Sequence, residues 1–183
     1  MPYSYIKFAF LALIGFGLIA SSPAFAASKV EIDIEVKQAI KRFKKEVGAS
    51  EQYIKLAKGM LVFPSIFKAG FGIGGEYGEG AMLINGKTTG YYSTAAASIG
   101  FQLGAQTKTV IIIFTTPKAL NKFRNSDGWE AGVDGSVALI ELGAAKTIDT
   151  NTIKNPIIAF VFNNKGLMYN LSLEGSKYSK INR

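Results

Sequence analysis

The chain of 183 residues contains neither cysteine nor histidine. Without cysteine there is no disulfide, no thiol nucleophile and no cysteine to carry an N-terminal lipid. Without histidine there is no Ser-His-Asp triad, and with both residues absent ordinary zinc and haem ligation are excluded. We expect no metal and no cofactor. Catalysis would depend on carboxylates, lysines, tyrosines and serines alone.

Acidic residues are also scarce, with 13 Asp and Glu against 21 Lys and Arg and a net charge of +8. A charge of this sign attracts anionic partners. If the protein is exported, as its first 26 residues indicate, these partners are anionic lipid or polymer rather than nucleic acid. We expect contact with a membrane surface and no nucleic-acid partner.

The first 26 residues have the features of a secretory signal. A short apolar run, FAFLALIGFGLIA, is followed by SSPAFA, which ends in Ala24-x-Ala26. This run is too short to span a bilayer and precedes small residues of the cleavage type. We expect cleavage before Ala27 and a mature domain of residues 27–183 in the periplasm. An uncleaved anchor is the alternative.

Eleven of the 20 glycines lie in residues 57–106. From Gly70 to Gly80 every even position is glycine except Glu76, whereas Phe71, Ile73 and Tyr77 fall on odd positions. Because side chains alternate across a strand, one face would be almost bare backbone. Such strands bend sharply or allow close approach, which predicts a strongly curved sheet. Asn85-Gly86 predicts a type I′ hairpin turn.

Two nucleotide motifs overlap this stretch, and neither has the context that it needs. Gly70, Gly72 and Gly75 satisfy G-x-G-x-x-G, but no helix follows to hold a pyrophosphate. Gly86-Lys87-Thr88 looks like the end of a P-loop, but Ala81 stands where its first glycine belongs. We expect no nucleotide site.

Residues 30–47 begin with strand-like alternation and become helical near Val36. Apolar residues then recur at helical spacing, and Val36, Ile40 and Phe43 form one stripe. The basic residues lie mostly off that stripe: Lys37, Lys41, Arg42, Lys44 and Lys45. Such a helix either places its apolar stripe in a membrane interface with its lysines on phosphates, or packs the stripe on the domain. The sequence leaves both orientations open.

Two further helices are predicted from capping signals. The first covers about residues 51–58, with Ser50 as N-cap and Gly59 at its end. The second follows Thr116-Pro117 and reaches about Phe123.

The remaining segments favour strands. Residues 110–114, VIIIF, predict a strand buried on both sides, and residues 132–142 a further β segment. A last hairpin would pair 157–163 with 167–174 around residues 164–166. The expected fold is a single α+β domain. Its N-terminal helices pack on a strongly curved, mostly antiparallel, glycine-rich and partly barrel-like sheet.

Four blocks carry a resemblance to a known family: LVFPSIFKAGFGIGGEYGEG at 61–80, GYYSTAAASIGFQLGAQ at 90–106, ALNKFRNSDGWEAGVDGSVA at 119–138 and AFVFNNKGLMYNLSLEGSKYSKI at 159–181. In this order they resemble the SYLF lipid-binding domain family over nearly all of the mature chain from Ala57. The resemblance implies an exported bacterial member of a family whose eukaryotic relatives bind phosphoinositides and, in some cases, actin. In those relatives an N-terminal amphipathic helix contacts membrane, and residues 36–47 are similar in character.

An exported protein meets neither actin nor phosphoinositides, so the resemblance implies a general affinity for anionic phospholipid. Within the family-like blocks Lys68 and Lys177 are candidate phosphate contacts, and Lys58 joins them. The alternative for each is an ordinary solvated surface lysine.

Glu76 and Glu79 are the most prominent carboxylates. Three residues apart in a strand, they point to opposite faces and do not form a glycosidase pair. Glu76 lies on the glycine face, where a backbone N–H or a buried lysine is its expected partner.

Three functional hypotheses result. The preferred one is a non-enzymatic phospholipid-binding protein that contacts anionic headgroups through the basic helix and nearby lysines. The alternative is an envelope protein-interaction module that uses the glycine-rich sheet face without lipid. The third, a carboxylate enzyme, lacks a paired and perturbed set of groups.

Overall fold

The computed structural model describes residues 27–141, 152–166, 173 and 175–183. The expected signal segment 1–26 lies outside these residues. So does most of 167–174, the second strand of the expected last hairpin.

Helix α1 spans Lys29–Glu46 and begins well before Val36. Its start is fixed by a capping box, in which Ser28 accepts from the N–H of Glu31 while the Glu31 carboxylate accepts from the N–H of Ser28 at 2.7 Å. Capping satisfies backbone donors that no helical carbonyl reaches. The predicted strand-like start is therefore wrong, because this box turns the alternating residues into the first helical turns.

Helix α2, Ser50–Leu56, exists as predicted but not with the predicted caps. Its N-cap is Ala49, which makes no side-chain capping bond, and the hydroxyl of Ser50 instead donates to the Lys44 carbonyl at 3.4 Å. Gly59 already belongs to the following strand.

Helix α3, Pro117–Arg124, begins as predicted. The Thr116 hydroxyl accepts from the N–H of Ala119 at 3.3 Å, and proline occupies the first turn.

Two long strands dominate the sheet, β1 at Gly59–Ile84 and β2 at Lys87–Phe114. They pair antiparallel from end to end. Both turn residues have positive φ, 51° at Asn85 and 75° at Gly86. This confirms the predicted hairpin turn, since type I′ geometry needs positive φ at both central residues.

The other strands are β3 at Trp129–Glu130, β4 at Ala138–Glu141, β5 at Ile157–Gly166 and β6 at Lys177–Ile181, and a 3₁₀ turn covers Thr152–Lys154. β1 pairs along one edge of β2. On the other edge, β6 pairs with the first part of β2 and β5 with its last part. The strand order along this path is β3-β6-β2-β5-β4. Only β4 and β5 are parallel among the described pairs. The curved, mostly antiparallel α+β fold is confirmed. The predicted turn at 164–166 is wrong, because these residues continue β5 beside β2.

The sheet carries a hydrophobic core on each face. Its inner face packs with α3 around Phe123, Trp129 and Tyr178. Its outer face packs with α1 and α2. Residues 110–114 alternate between the two cores and are fully buried, which confirms the strand buried on both sides.

The bare glycine face receives the backbone of β1 itself. A Cβ on Gly80 would overlap the Val62 carbonyl oxygen, and one on Gly78 would lie 2.8 Å from the Ser65 carbonyl oxygen. The second half of β1 therefore crosses closely over its first half, an approach that only glycine permits. This contact curls the sheet.

Candidate functional site

A groove of about 560 Å³ lies between α1, α2 and the β1–β2 turn. Its floor is formed by apolar residues: Val36, Ile40, Ile54, Met60 and Leu83. Three lysines also line it: Lys37, Lys44 and Lys55. We call this feature the lysine groove.

Helix periodicity places the α1 part of the groove. Lys37, Ile40 and Lys44 recur at spacings of three and four and so share one flank of the helix. Lys55 comes from α2, and an ion pair between Lys44 and Glu51 at 2.9 Å connects α1 to α2. Because both partners are well exposed, this pair contributes little stability.

Asp33 closes one end of the lysine groove. Its carboxylate accepts from the Thr88 hydroxyl at 2.9 Å and from the Tyr91 hydroxyl at 3.2 Å. Partial burial and this hydrogen bond raise the pKa of Tyr91, so its hydroxyl stays protonated and continues to donate. These hydrogen bonds connect α1 to the β1–β2 hairpin and use both carboxylate oxygens of Asp33.

The apolar stripe of α1 faces the core. Val36 and Phe43 are only 1% and 0% exposed, and the Phe43 ring packs edge-on against Phe160 with centroids 4.8 Å apart. Of the two orientations left open by the sequence, the structure has the packed one. Only Ile40 is partly open, in the groove floor.

The basic residues of α1 divide among three faces. Lys37 and Lys44 lie in the lysine groove, Lys41 and Lys45 are exposed on the outer face, and Arg42 lies on the opposite flank. Sequence reasoning missed Lys55 and also the exposed apolar pair Val30 and Ile34, which are 66% and 49% exposed. The spacing of four from Val30 to Ile34 was the available signal for that pair.

The three lysines predicted from the family-like blocks and their surroundings do not join the groove lining. Lys58 is exposed beside the groove, in the link between α2 and β1. Lys68 is 8% exposed on the inner face, which makes it neither a surface lysine nor an accessible phosphate contact. Lys177 is exposed in β6, in register with Ala95 and Glu130.

The inner face holds a buried ion pair. Lys108 Nζ lies 2.9 Å from Glu76 Oε2, with side chains 1% and 5% exposed, and the Ser176 hydroxyl donates to Glu76 Oε1 at 3.3 Å. Burial, and then the charge of Glu76, raise the pKa of Tyr178 beside it. The expected buried lysine partner of Glu76 is thus present.

Glu79 lies on the opposite face of β1, where it pairs with Arg183 and accepts from Tyr77 at 2.7 Å. The two carboxylates therefore lie on opposite faces of β1 and have different partners, as the alternation of side chains along a strand predicted. In the part of the chain that the structure describes, no group of three acidic residues is placed to hold a metal ion. Nor does any described helix have the length and apolarity needed to cross a bilayer.

The glycine-rich face is closed where it was expected to receive a partner. At Gly78 and Gly80 the backbone of residues 62–66 occupies that face. The protein-interaction hypothesis therefore loses the part of its surface at Gly78 and Gly80.

The architecture defines an α+β domain built on a curled antiparallel sheet, with two helices on its outer face. Residues 95–182 match the family model described as "Ysc84: Las17-binding protein actin regulator". This match confirms the resemblance to SYLF domains over residues 95–182. No curated protein shows significant sequence similarity to the chain. The lysine groove, built from residues 33–88, lies N-terminal to the matched segment.

Proposed function

We propose that the protein is an exported, periplasmic and non-enzymatic phospholipid-binding protein. The observation that supports this is the lysine groove, which combines an apolar floor with three lysine side chains. An acyl chain would lie along the floor, and an anionic headgroup would meet Lys37, Lys44 and Lys55. Ligand sites of this kind are mostly apolar and have a few placed polar groups.

The energetics favour an anionic lipid. A lysine near an anionic surface contributes about 1 kcal/mol, and each buried methylene about 0.8 kcal/mol. The family description names actin regulation. The export proposed here would separate the protein from actin, so lipid is the partner we propose.

The proposed membrane contact differs from insertion of the stripe Val36/Phe43, which stays in the core. Instead, the outer face of α1 would approach the bilayer. It presents Val30 and Ile34 toward the start of the helix and Lys41 and Lys45 toward its end. Exposed apolar residues followed by lysines are typical of a surface helix at an interface.

Co-sedimentation of the purified protein with vesicles tests the proposal. We expect binding to phosphatidylglycerol or cardiolipin vesicles, little binding to phosphatidylcholine, and weakening as salt rises. Screening shortens the Debye length from about 30 Å at 0.01 M to about 8 Å at 0.15 M salt. Absence of binding to anionic vesicles at low salt would refute the function.

The acyl-chain part of the proposal predicts the effect of Ile40→Trp, which fills the groove without changing charge. Excluding two methylenes would cost about 1.6 kcal/mol, or at least about tenfold in affinity for spin-labelled phosphatidylglycerol in solution. Ile73→Trp is the matched control, since it makes the same change at an exposed position outside both α1 and the groove. Equal effects of the two substitutions would rule out the groove as the chain site.

A further inference from the structure

The second half of β1 and the strand that pairs with it carry no unpaired charge, although the protein has a net charge of +8. Residues 88–107 contain no charged residue, and residues 69–86 contain only Glu76 and Glu79. Both carboxylates already have partners, Lys108 for the first and Arg183 for the second. Net charge keeps proteins apart by repulsion, so a neutral surface is where a second basic molecule can approach.

The same part of β1 is an open sheet edge. β1 pairs with β2 along one edge, and no described strand pairs with its other edge. Open edges are templates for another chain, and native proteins protect them with proline or a bulge. The first half of β1 has both, in Pro64 and in the register shift between Phe63 and Ile66. Residues 73–82 have no proline, and their register with β2 is regular, so this edge is unprotected.

Two large apolar side chains are exposed on the outer face of this edge. Ile73 is 74% exposed and Tyr77 is 52% exposed. The Tyr77 hydroxyl already donates to Glu79 at 2.7 Å, so the ring is the part left for a partner. Gly75 lies between them and is also exposed, so no bulky side chain separates the two. Exposed apolar residues grouped on an open edge indicate an interaction surface.

We propose that residues 73–79 pair antiparallel with the same segment of a second copy of this chain, about a two-fold axis at Gly75. This register places Ile73 of each copy directly opposite Tyr77 of the other. Aromatic and β-branched side chains in opposite positions form a favourable cross-strand pair. Each copy uses its own open edge, and the contact is the same on both sides, so assembly ends at a dimer.

Charge and position favour a second copy over a lipid surface at this edge. An anionic surface is attracted to lysines, and residues 69–86 contain none. A second copy is repelled by the basic parts of the protein but not by this segment. None of residues 73–79 lines the lysine groove, so the dimer leaves the groove open and does not depend on the proposed lipid binding.

Sedimentation velocity of the purified protein over a concentration series tests the dimer. We expect a monomer–dimer equilibrium that Ile73→Lys weakens at least about tenfold, because the symmetric contact loses an apolar side chain and gains a charge twice. Val133→Lys is the matched control, since Val133 is also 74% exposed but lies outside β1. A protein that stays monomeric at every concentration, or equal weakening by the two substitutions, would overturn the proposal.

A cross-linking variant tests the register without disturbing the apolar pair. The chain has no cysteine, so Gly75→Cys can form a disulfide only between copies. The nearest listed neighbour of a Cβ there is the Ala96 carbonyl oxygen at an ordinary 3.7 Å, so the side chain fits. Opposite residues of an antiparallel pair have Cα atoms about 4.5–5.5 Å apart, within the range of disulfides.

We expect Gly75→Cys to give a covalent dimer on a non-reducing gel under mild oxidation, far faster than the control Val133→Cys. The proposed register also predicts that Ile73→Cys cross-links to a size-tagged Tyr77→Cys rather than to itself. Equal rates for Gly75→Cys and Val133→Cys would contradict pairing at this edge. Cross-linking of Ile73→Cys to itself in preference to Tyr77→Cys would contradict the two-fold axis at Gly75.

Discussion

Replacing Glu76 by alanine is expected to destabilise the protein by about 3–5 kcal/mol, because it leaves the ammonium group of Lys108 buried without its partner. The two side chains are 5% and 1% exposed, so water cannot replace the carboxylate without opening the sheet. Urea unfolding followed by fluorescence of Trp129 would measure the loss. This residue is the only tryptophan and is buried in the inner core, where its environment reports on folding.

Glu51→Ala is the matched control for Glu76→Ala, since it also removes the partner of a lysine, Lys44, but at the surface. Its expected cost is about 0–1 kcal/mol. A double variant, Glu76→Leu with Lys108→Met, should recover most of the loss, because replacing both buried charges by apolar groups is often neutral or stabilising. If Glu76→Ala lowers the free energy of unfolding no more than Glu51→Ala does, the buried ion pair does not stabilise the fold as expected.

Local signals predicted the features that local physics determines. Thr116-Pro117 gave the start of α3, and Asn85-Gly86 gave the β1–β2 turn, because capping and positive φ depend on a few neighbouring atoms. The same approach failed at Ser50, whose hydroxyl turns to the Lys44 carbonyl rather than to its own helix. Here a hydrogen bond to a carbonyl six residues earlier in the chain replaces the capping bond that the local sequence predicted.

The orientation of α1 depends on residues far along the chain. The stripe of Val36 and Phe43 is equally suited to a membrane and to a protein core. Its partner, the outer face of the sheet, is formed by distant strands that contribute Ile111, Phe160 and others. Without the sheet register the sequence could not choose between the two, whereas the structure shows the stripe buried.

Period-two alternation predicted more about Glu76 than about the glycines around it. It placed the carboxylate on the bare face and suggested a buried lysine, but which lysine depends on the bulge between Phe63 and Ile66. That bulge, and the crossing of β1 over itself at Gly80, are products of the folded sheet. For the same reason Lys55 could not be assigned to the groove from the sequence, because it meets α1 only in three dimensions.

Substituting glutamine for all three lysines of the groove, Lys37, Lys44 and Lys55, is expected to weaken binding to phosphatidylglycerol vesicles by about 3 kcal/mol. This estimate takes about 1 kcal/mol for each lysine near the surface and corresponds to roughly 150-fold in affinity. Co-sedimentation at low salt measures the change. At high salt the difference from the unmodified protein should shrink, because screening weakens the contribution of each lysine.

The control for this triple substitution removes the same number of positive charges but leaves the three groove lysines in place. Lys118, Lys154 and Lys180 are exposed, lie outside the groove, and can be changed to glutamine together. If only the overall charge of the protein matters, both triple variants lose affinity equally, and the groove has no special role. If the groove holds the headgroup, the control keeps most of its binding, since long-range attraction is largely screened beyond a Debye length. The difference between the variants therefore separates a positioned site from a basic surface.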